Sequence, residues 1–497
     1  MVKSAGYAWL IKEYHLQVLE PFQQSYIHER SDRRSCEENG QIESYFPKAY
    51  DPGDDWTGNL TFAFKYEGVN LEVLAALLPK IPSAEMEDFV RLSPIGKYAR
   101  FAWYFYELLA NQKLGLANLD RGNYLPILDE ELEYALPQES APRAKRQRLI
   151  INLLGEKEYC PRIRKTKAIR EYQMADIAAS VRALIASYPS HLIDRASKYL
   201  YSKETKSSFE IEREHADTRR TARFIELLRR AGRGDSYGEP ELTALQNAIV
   251  EERYEAKGFR SSQNYVGESI GPTREIVHYI PPKPEDLHAM MDGWAISCKQ
   301  IHACALDALV HAAIAGFGFV FLHPFDDGNG RIHRFLIHDA LVLANFTPSG
   351  MIFPVSAVML RRMKEYDSAL EAFSRPLMEH LRYRLSENGA LSVDDDTARY
   401  YRYPDLTRQA EALASFIQET ADTEFSAELQ YLESFDRARE AVRSILDMPD
   451  RKLDLFIRLV MQGRGKLSAA KRGSFSEISD EELSRLESAV AEICCMK

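Results

Sequence analysis

The chain has 497 residues, a formal charge of −10, 45% hydrophobic and 28% charged residues. These values exclude a disordered, collagen-like or wholly basic chain, and the length admits about three domains at ~150 residues each. Six cysteines without a CxxC pair read as free thiols in a reducing compartment rather than a disulfide or zinc framework. The start of the chain is too short and polar before Lys12 for a secretory signal, so a cytoplasmic location is expected.

Polar turn material at 51–59 precedes an apolar run at 70–78, and residues 96–111 carry aromatic and aliphatic side chains at helical spacing, which predicts a core helix. Acidic residues at 128–133 are followed, at 143–170, by ten basic residues against two acidic ones, a local charge of +8. That stretch reads either as a contact for nucleic-acid phosphates, together with Arg464, Lys466, Lys471 and Arg472, or as a solvated face or partner of the acidic segment beside it. Residues 172–200 predict two helices broken at 187–192, and Ser207 with Glu210 predicts a capping box opening a helix over 203–214. A loop at 232–240 follows. Residues 259–284 predict a β-hairpin, with turns at Gly267, Gly271 and Pro272, and then a Pro-rich connector.

From 285 the pattern is helical. Residues 303–322 are apolar enough to mimic a membrane span, but Asp307 and His311 inside the run predict a buried helix of a soluble domain with no membrane role. The polar segment 386–398, with Asn388-Gly389, marks a boundary, and Ser479 with Glu482 predicts a capping box opening the last helix.

Residues 323–334, HPFDDGNGRIHR, concentrate the chemistry. His323 is a candidate base near neutral pH. Gly328, Asn329 and Gly330 form a flexible turn whose N–H groups can converge on an anion at a helix start. Arg331 and Arg334 share one helix face and suit a polyphosphate. Asp327 is a hard oxygen ligand suited to Mg²⁺ bridging phosphates. Base, metal ligand, anion hole and two cations in one loop suit nucleotide transfer.

This loop resembles the signature of the Fic (filamentation induced by cAMP) family, HPFx[D/E]GNGRxxR, at every fixed position. The resemblance implies a helical core with a short β-hairpin flap, and transfer of AMP from ATP to a protein hydroxyl with Mg²⁺. It implies His323 as general base and Asp327 as the Mg²⁺ ligand. Gly328, Asn329 and Gly330 would form the anion hole, with Asn329 on the α-phosphate; Arg331 would bind the phosphates and Arg334 the γ-phosphate. Residues 259–267 and 277–287 resemble the family's flap region, with Ser262, Gln263, Asn264, Tyr265, Val266 and Gly267 docking the target by β-augmentation. SSFEIERE (207–214) resembles the inhibitory motif [S/T]xxxE[G/N] through Ser208 and Glu212, in the class whose inhibitory helix precedes the core. Arg213 departs from the Gly or Asn usual there, and a Glu212–Arg334 pair would withhold the arginine from ATP. Residues 354–370 resemble the helix that follows the family's core.

The expectation is therefore a mainly α protein in three parts. These are an N-terminal α+β flank of unassigned function (1–202), a Fic core with inhibitory helix and flap (203–385) and a C-terminal helical region (386–497). The expected function is an autoinhibited protein adenylyltransferase. Its partners are ATP, a target bearing a Ser, Thr or Tyr hydroxyl and no membrane, with self-modification and a homo-oligomer left open. Two alternatives remain: a Fic-fold enzyme with another nucleotide or phosphate donor or de-AMPylating activity, or a nucleic-acid-binding regulator using the core as a switch.

Overall fold

The computed structural model describes residues 2–38, 40–214, 217–234, 236–269, 275–347, 350–386 and 389–495; the turn residues Gly271 and Pro272, and Asn388, lie outside them. The architecture is mainly α, with four small sheets among the described residues. Near the N-terminus, strands Lys3–Ala5, Gln23–His28, Gln41–Pro47 and Arg34–Glu38 lie side by side in that order. The second and third are parallel, with Gln23 opposite Ile42. Of helices Trp56–Tyr66, Leu71–Leu77, Ser83–Leu92 and Lys97–Leu109, the first packs on this sheet through Phe62, and all four share a separate apolar cluster. The first two begin where the sequence offers side-chain acceptors: Asp55 caps the N–H of Gly58 (2.8 Å), and Asn70 that of Val73 (3.1 Å). The expected core helix at 96–111 is the last of them, and it buries Phe101, Trp103, Phe105 and Tyr106.

The basic stretch at 143–170 is largely taken up internally. Arg146 pairs with Glu107 (3.1 Å), Arg162 with Glu133 (2.7 Å) and Arg164 with Asp405 (3.2 Å). Arg148, Lys165 and Arg170 donate to main-chain carbonyls, the latter two in the acidic segment at 128–133. The stretch therefore staples the N-terminal region to its neighbours.

The central core is one apolar cluster reaching from Tyr134 to Leu432. Through its middle runs the helix Asn329–Leu343, buried on all sides from Arg331 to Leu341, its charged side chains included. Of the apolar run 303–322, the part from Leu309 on is buried almost throughout, in pieces, whereas Ala303 and Ala305 are exposed. Asp307 caps the helix Ala308–Ala313 by accepting from Leu309 N–H (2.8 Å), a π turn spans Ile314–Gly318, and Phe319–Leu322 follows. Among the described residues no helix is long and apolar enough to cross a membrane.

One local expectation is corrected. Ser207 and Glu210 do not open a helix; they lie near the end of a 22-residue helix, Ser190–Ile211, that starts after Pro189. Ser207 is buried by tertiary packing, which overrides its local preference for a cap. The long helix is tied along its length: Arg195 to Asp436 (2.5 Å), Lys203 to Glu424, and Glu204 to His338 (2.8 Å) and Ser356 N–H (3.0 Å). The capping box at Ser479 forms as expected, with Ser479 N–H on Glu482 (3.0 Å) and Glu482 N–H on Ser479 Oγ (3.3 Å). It opens Asp480–Cys495, which closes a small separate core with Asp450–Gln462 and the end of Ser426–Ile445.

Candidate active site

The loop 323–328 joins Phe319–Leu322 to the central helix. His323 ends the first helix in a left-handed conformation (φ 49°, ψ 58°) and Gly328 caps the second at φ 91°. That conformation is cheap for Gly328, whereas at His323 it is strained, the more so before Pro324. Asn329 closes the loop: its side chain accepts from Phe325 N–H (3.1 Å) and donates to Phe325 C=O (2.7 Å). Its amide is thus spent on loop shape, and what Asn329 offers an anion is its main-chain N–H at the helix start, among the N–H groups that helix geometry leaves without partners.

His323 Nδ1 lies 3.1 Å from Val320 C=O. A carbonyl can only accept, so Nδ1 carries the hydrogen and Nε2 keeps its lone pair. Burial, opposed by the Val320 hydrogen bond and aided by the Arg260 charge, holds the imidazole down to about 4. The ring is neutral at pH 7. Asp327, with a side chain 44% exposed, accepts through Oδ1 from Gly328 N–H (2.6 Å) and from Arg331 (2.9 Å).

The two arginines are almost fully buried and each meets a carboxylate. Arg334 donates to Glu212 (2.8 Å), Ser208 Oγ (2.8 Å) and Ser208 C=O (2.8 Å). Arg331 meets Glu214 (3.0 Å) as well as Asp327, and stands over the Phe209 ring. Burial would raise the Glu212 carboxyl, but the Arg334 charge and hydrogen bond outweigh it and hold it below its ordinary value. Burial would lower Arg334, and Glu212 raises it. Gly330 makes this approach feasible: a Cβ there would lie 2.2 Å from Glu212 Oε1.

Both carboxylates are delivered by the end of the long helix. Arg213 N–H bonds Glu210 C=O (2.9 Å) and Glu214 N–H bonds Phe209 C=O (3.0 Å), the paired bonds of a Schellman termination. Arg213 takes the left-handed position at φ 56°. This accounts for the motif position: glycine or asparagine suits that conformation best, and arginine occupies it with some strain.

The flap residues Ser262–Gly267 lead into strands Val266–Ser269 and Glu275–Tyr279, with a register shift at Val266/Gly267. Tyr265 is partly buried against the core and Val266 is exposed. Gln263 donates to Pro281 C=O (3.0 Å), and Asn264 to Phe325 C=O (3.1 Å). The sequence reading missed two residues here: Glu214, two places beyond Glu212, and Arg260, whose guanidinium touches His323 C=O (2.9 Å). Glu214 was visible as a second acid at the helix end; Arg260 carried no local signal. Among the described residues no cluster of three or more His, Cys, Asp or Glu could hold a metal by itself. A cavity of about 450 Å³ lies elsewhere, lined by Phe22, Arg164, Arg375 and Arg408.

A model of the Fic/DOC family matches residues 237–341, which span the flap and the loop but not the segment 207–214. The protein adenylyltransferase Fic of Drosophila melanogaster is 36% identical over 90 residues, 18% of this chain and 16% of that protein. Its Drosophila virilis counterpart is 34% identical over 90 residues, with the same coverage. The chain thus spans only 16% of the length of these curated relatives. A crystal structure of a Fic family protein from Desulfovibrio desulfuricans G20 aligns with a TM-score of 0.38 at 18% identity, covering 63% of this chain and 87% of that one. The likeness to the Fic/DOC family is thus carried by residues 237–341, which hold the flap, the loop and most of the buried helix behind it.

Proposed function

We propose that the chain is a protein adenylyltransferase that moves AMP from ATP to a protein hydroxyl and is restrained by its own Glu212. The observation that carries this reading is a built anion cradle, with its helix start and two buried arginines, already holding carboxylates beside a neutral histidine. The triphosphate of ATP would lie on the start of the helix Asn329–Leu343, with Arg331 and Arg334 on its outer oxygens. Asp327 fits Mg²⁺ as the single protein carboxylate commonly used when substrate phosphates and water complete the shell. Bound there, the ion neutralises phosphate charge.

A target hydroxyl presented by the flap gives its proton to His323 Nε2. Its oxygen bonds to the α-phosphorus, the bond from that phosphorus to the α,β-bridging oxygen breaks, and pyrophosphate leaves. While Glu212 holds Arg334 and Glu214 holds Arg331, neither guanidinium is available to ATP. In a Glu212→Gly background, labelled ATP should transfer AMP to protein, and adding His323→Ala should abolish transfer while ATP still binds. Transfer that survives His323→Ala would overturn the assignment of the base, and no AMP transfer from the Glu212→Gly protein would overturn the function.

A further inference from the structure

We propose that Arg260, assisted by Asn264, is a positioning residue that locks the stem of the flap to the catalytic loop and so sets where a docked hydroxyl meets His323; this rests on the transferase reading above. Three consecutive loop carbonyls are taken by donors from the stem. His323 C=O accepts from Arg260 Nε (2.9 Å), Pro324 C=O from Arg260 N–H (2.8 Å) and Phe325 C=O from Asn264 Nδ2 (3.1 Å). The same guanidinium reaches both feet of the hairpin, at Ser262 C=O (3.0 Å) and Pro282 C=O. Gln263 adds Pro281 C=O (3.0 Å) on the returning strand.

Arg260 is buried, and among the described residues it makes no ion pair; burial holds its guanidinium down to about 10. A buried cation without a carboxylate is costly, and simple packing would be served by an apolar side chain. What an apolar side chain cannot do is donate to three carbonyls at fixed angles, which the planar guanidinium does and a lysine ammonium does less well. The carbonyl it steadies belongs to His323, the strained residue of the loop. Flap and base therefore form one rigid unit, so that a strand added to the flap arrives in register with Nε2. A 1 Å error in such placement costs on the order of 100-fold in rate.

The test uses the full chain in the Glu212→Gly background with Arg260→Met, Arg260→Lys and Asn264→Ala. Three quantities are measured: ATP affinity, AMP transferred to protein, and AMP released to water. The inference expects unchanged ATP affinity, a fall of about 100-fold in transfer to protein for Arg260→Met and about tenfold for Asn264→Ala, a smaller fall in release to water, and partial recovery in Arg260→Lys. Transfer and release falling together, or transfer unchanged, would overturn it. If Arg260→Met does not fold, Asn264→Ala decides by the same partition. A Glu212→Gly parent without AMP transfer would instead count against the transferase reading itself.

Discussion

At Arg213 the backbone turns left-handed at the point where the long helix must stop and swing two carboxylates into the cradle. A side chain with a Cβ is strained there, so Arg213→Gly should stabilise the protein by about 1 kcal/mol, read as a higher melting temperature, and lower any residual transfer. Its neighbour Glu212 titrates below the usual 4.5 because Arg334 outweighs the burial that would raise it. A group whose folded pKa is depressed contributes stability above its unfolded value and loses it as pH falls through the folded value. The stability gap between the wild type and Glu212→Gln should therefore be flat from neutral pH to about pH 5 and close only well below it, as followed by thermal melts. A gap that closes between pH 7 and about pH 5 would contradict the ion pair. Residues of this kind were partly legible. The base, the acid and the arginines stand within twelve consecutive positions, and Ser208 and Glu212 at one helical face's spacing. Arg260 was not legible, because its partners on the loop lie more than 60 positions away and are main-chain atoms with no sequence signature.

At the scale of elements, the long helix meets the central helix through a polar ladder. Glu204, Ser208 and Glu212, spaced by four, face His338 and Arg334, also spaced by four. Glu214 extends the ladder to Arg331. Freeing one guanidinium leaves the other held, so Glu212→Gly with Glu214→Ala should bind ATP roughly tenfold more tightly than Glu212→Gly alone, at about 1.5 kcal/mol for a charged hydrogen bond. Isothermal titration would show it, and equal affinities would remove Glu214 from the account. Further up, Glu204→Ala leaves the Ser356 N–H and hydroxyl without their buried acceptor, and a loss of about 3 kcal/mol in stability is expected by chemical denaturation. The limits of this helix were misread from sequence because Ser207 and Glu210 mimic a cap locally, while packing across four turns decides the issue. The capping box at Ser479 was legible because that helix starts at the surface, where local bonds prevail.

At the scale of the whole molecule, charge that looks concentrated in sequence is spent in the fold. Most cations of 143–170 face carboxylates or carbonyls, so no salt-dependent shift of nucleic acid is expected even at low ionic strength, and a gel shift that weakens with salt would contradict this. The parallel strand pair near the N-terminus, and the docking of 143–170 against Asp405, join segments far apart in sequence, and no local pattern announces them.

The long helix is moored at Arg195, Lys203 and Glu204 well before its last turn reaches Arg334. Under the proposed restraint, opening the cradle would require only that this final turn fray, a local event on the scale of a few hydrogen bonds rather than the departure of a domain. Such a hinge would make the proposed restraint a thermostat rather than a lock. Each molecule would spend a small, fixed share of its time open, and any contact that tightens or slackens the mooring at Asp436 or Glu424 would reset that share without touching the chemistry.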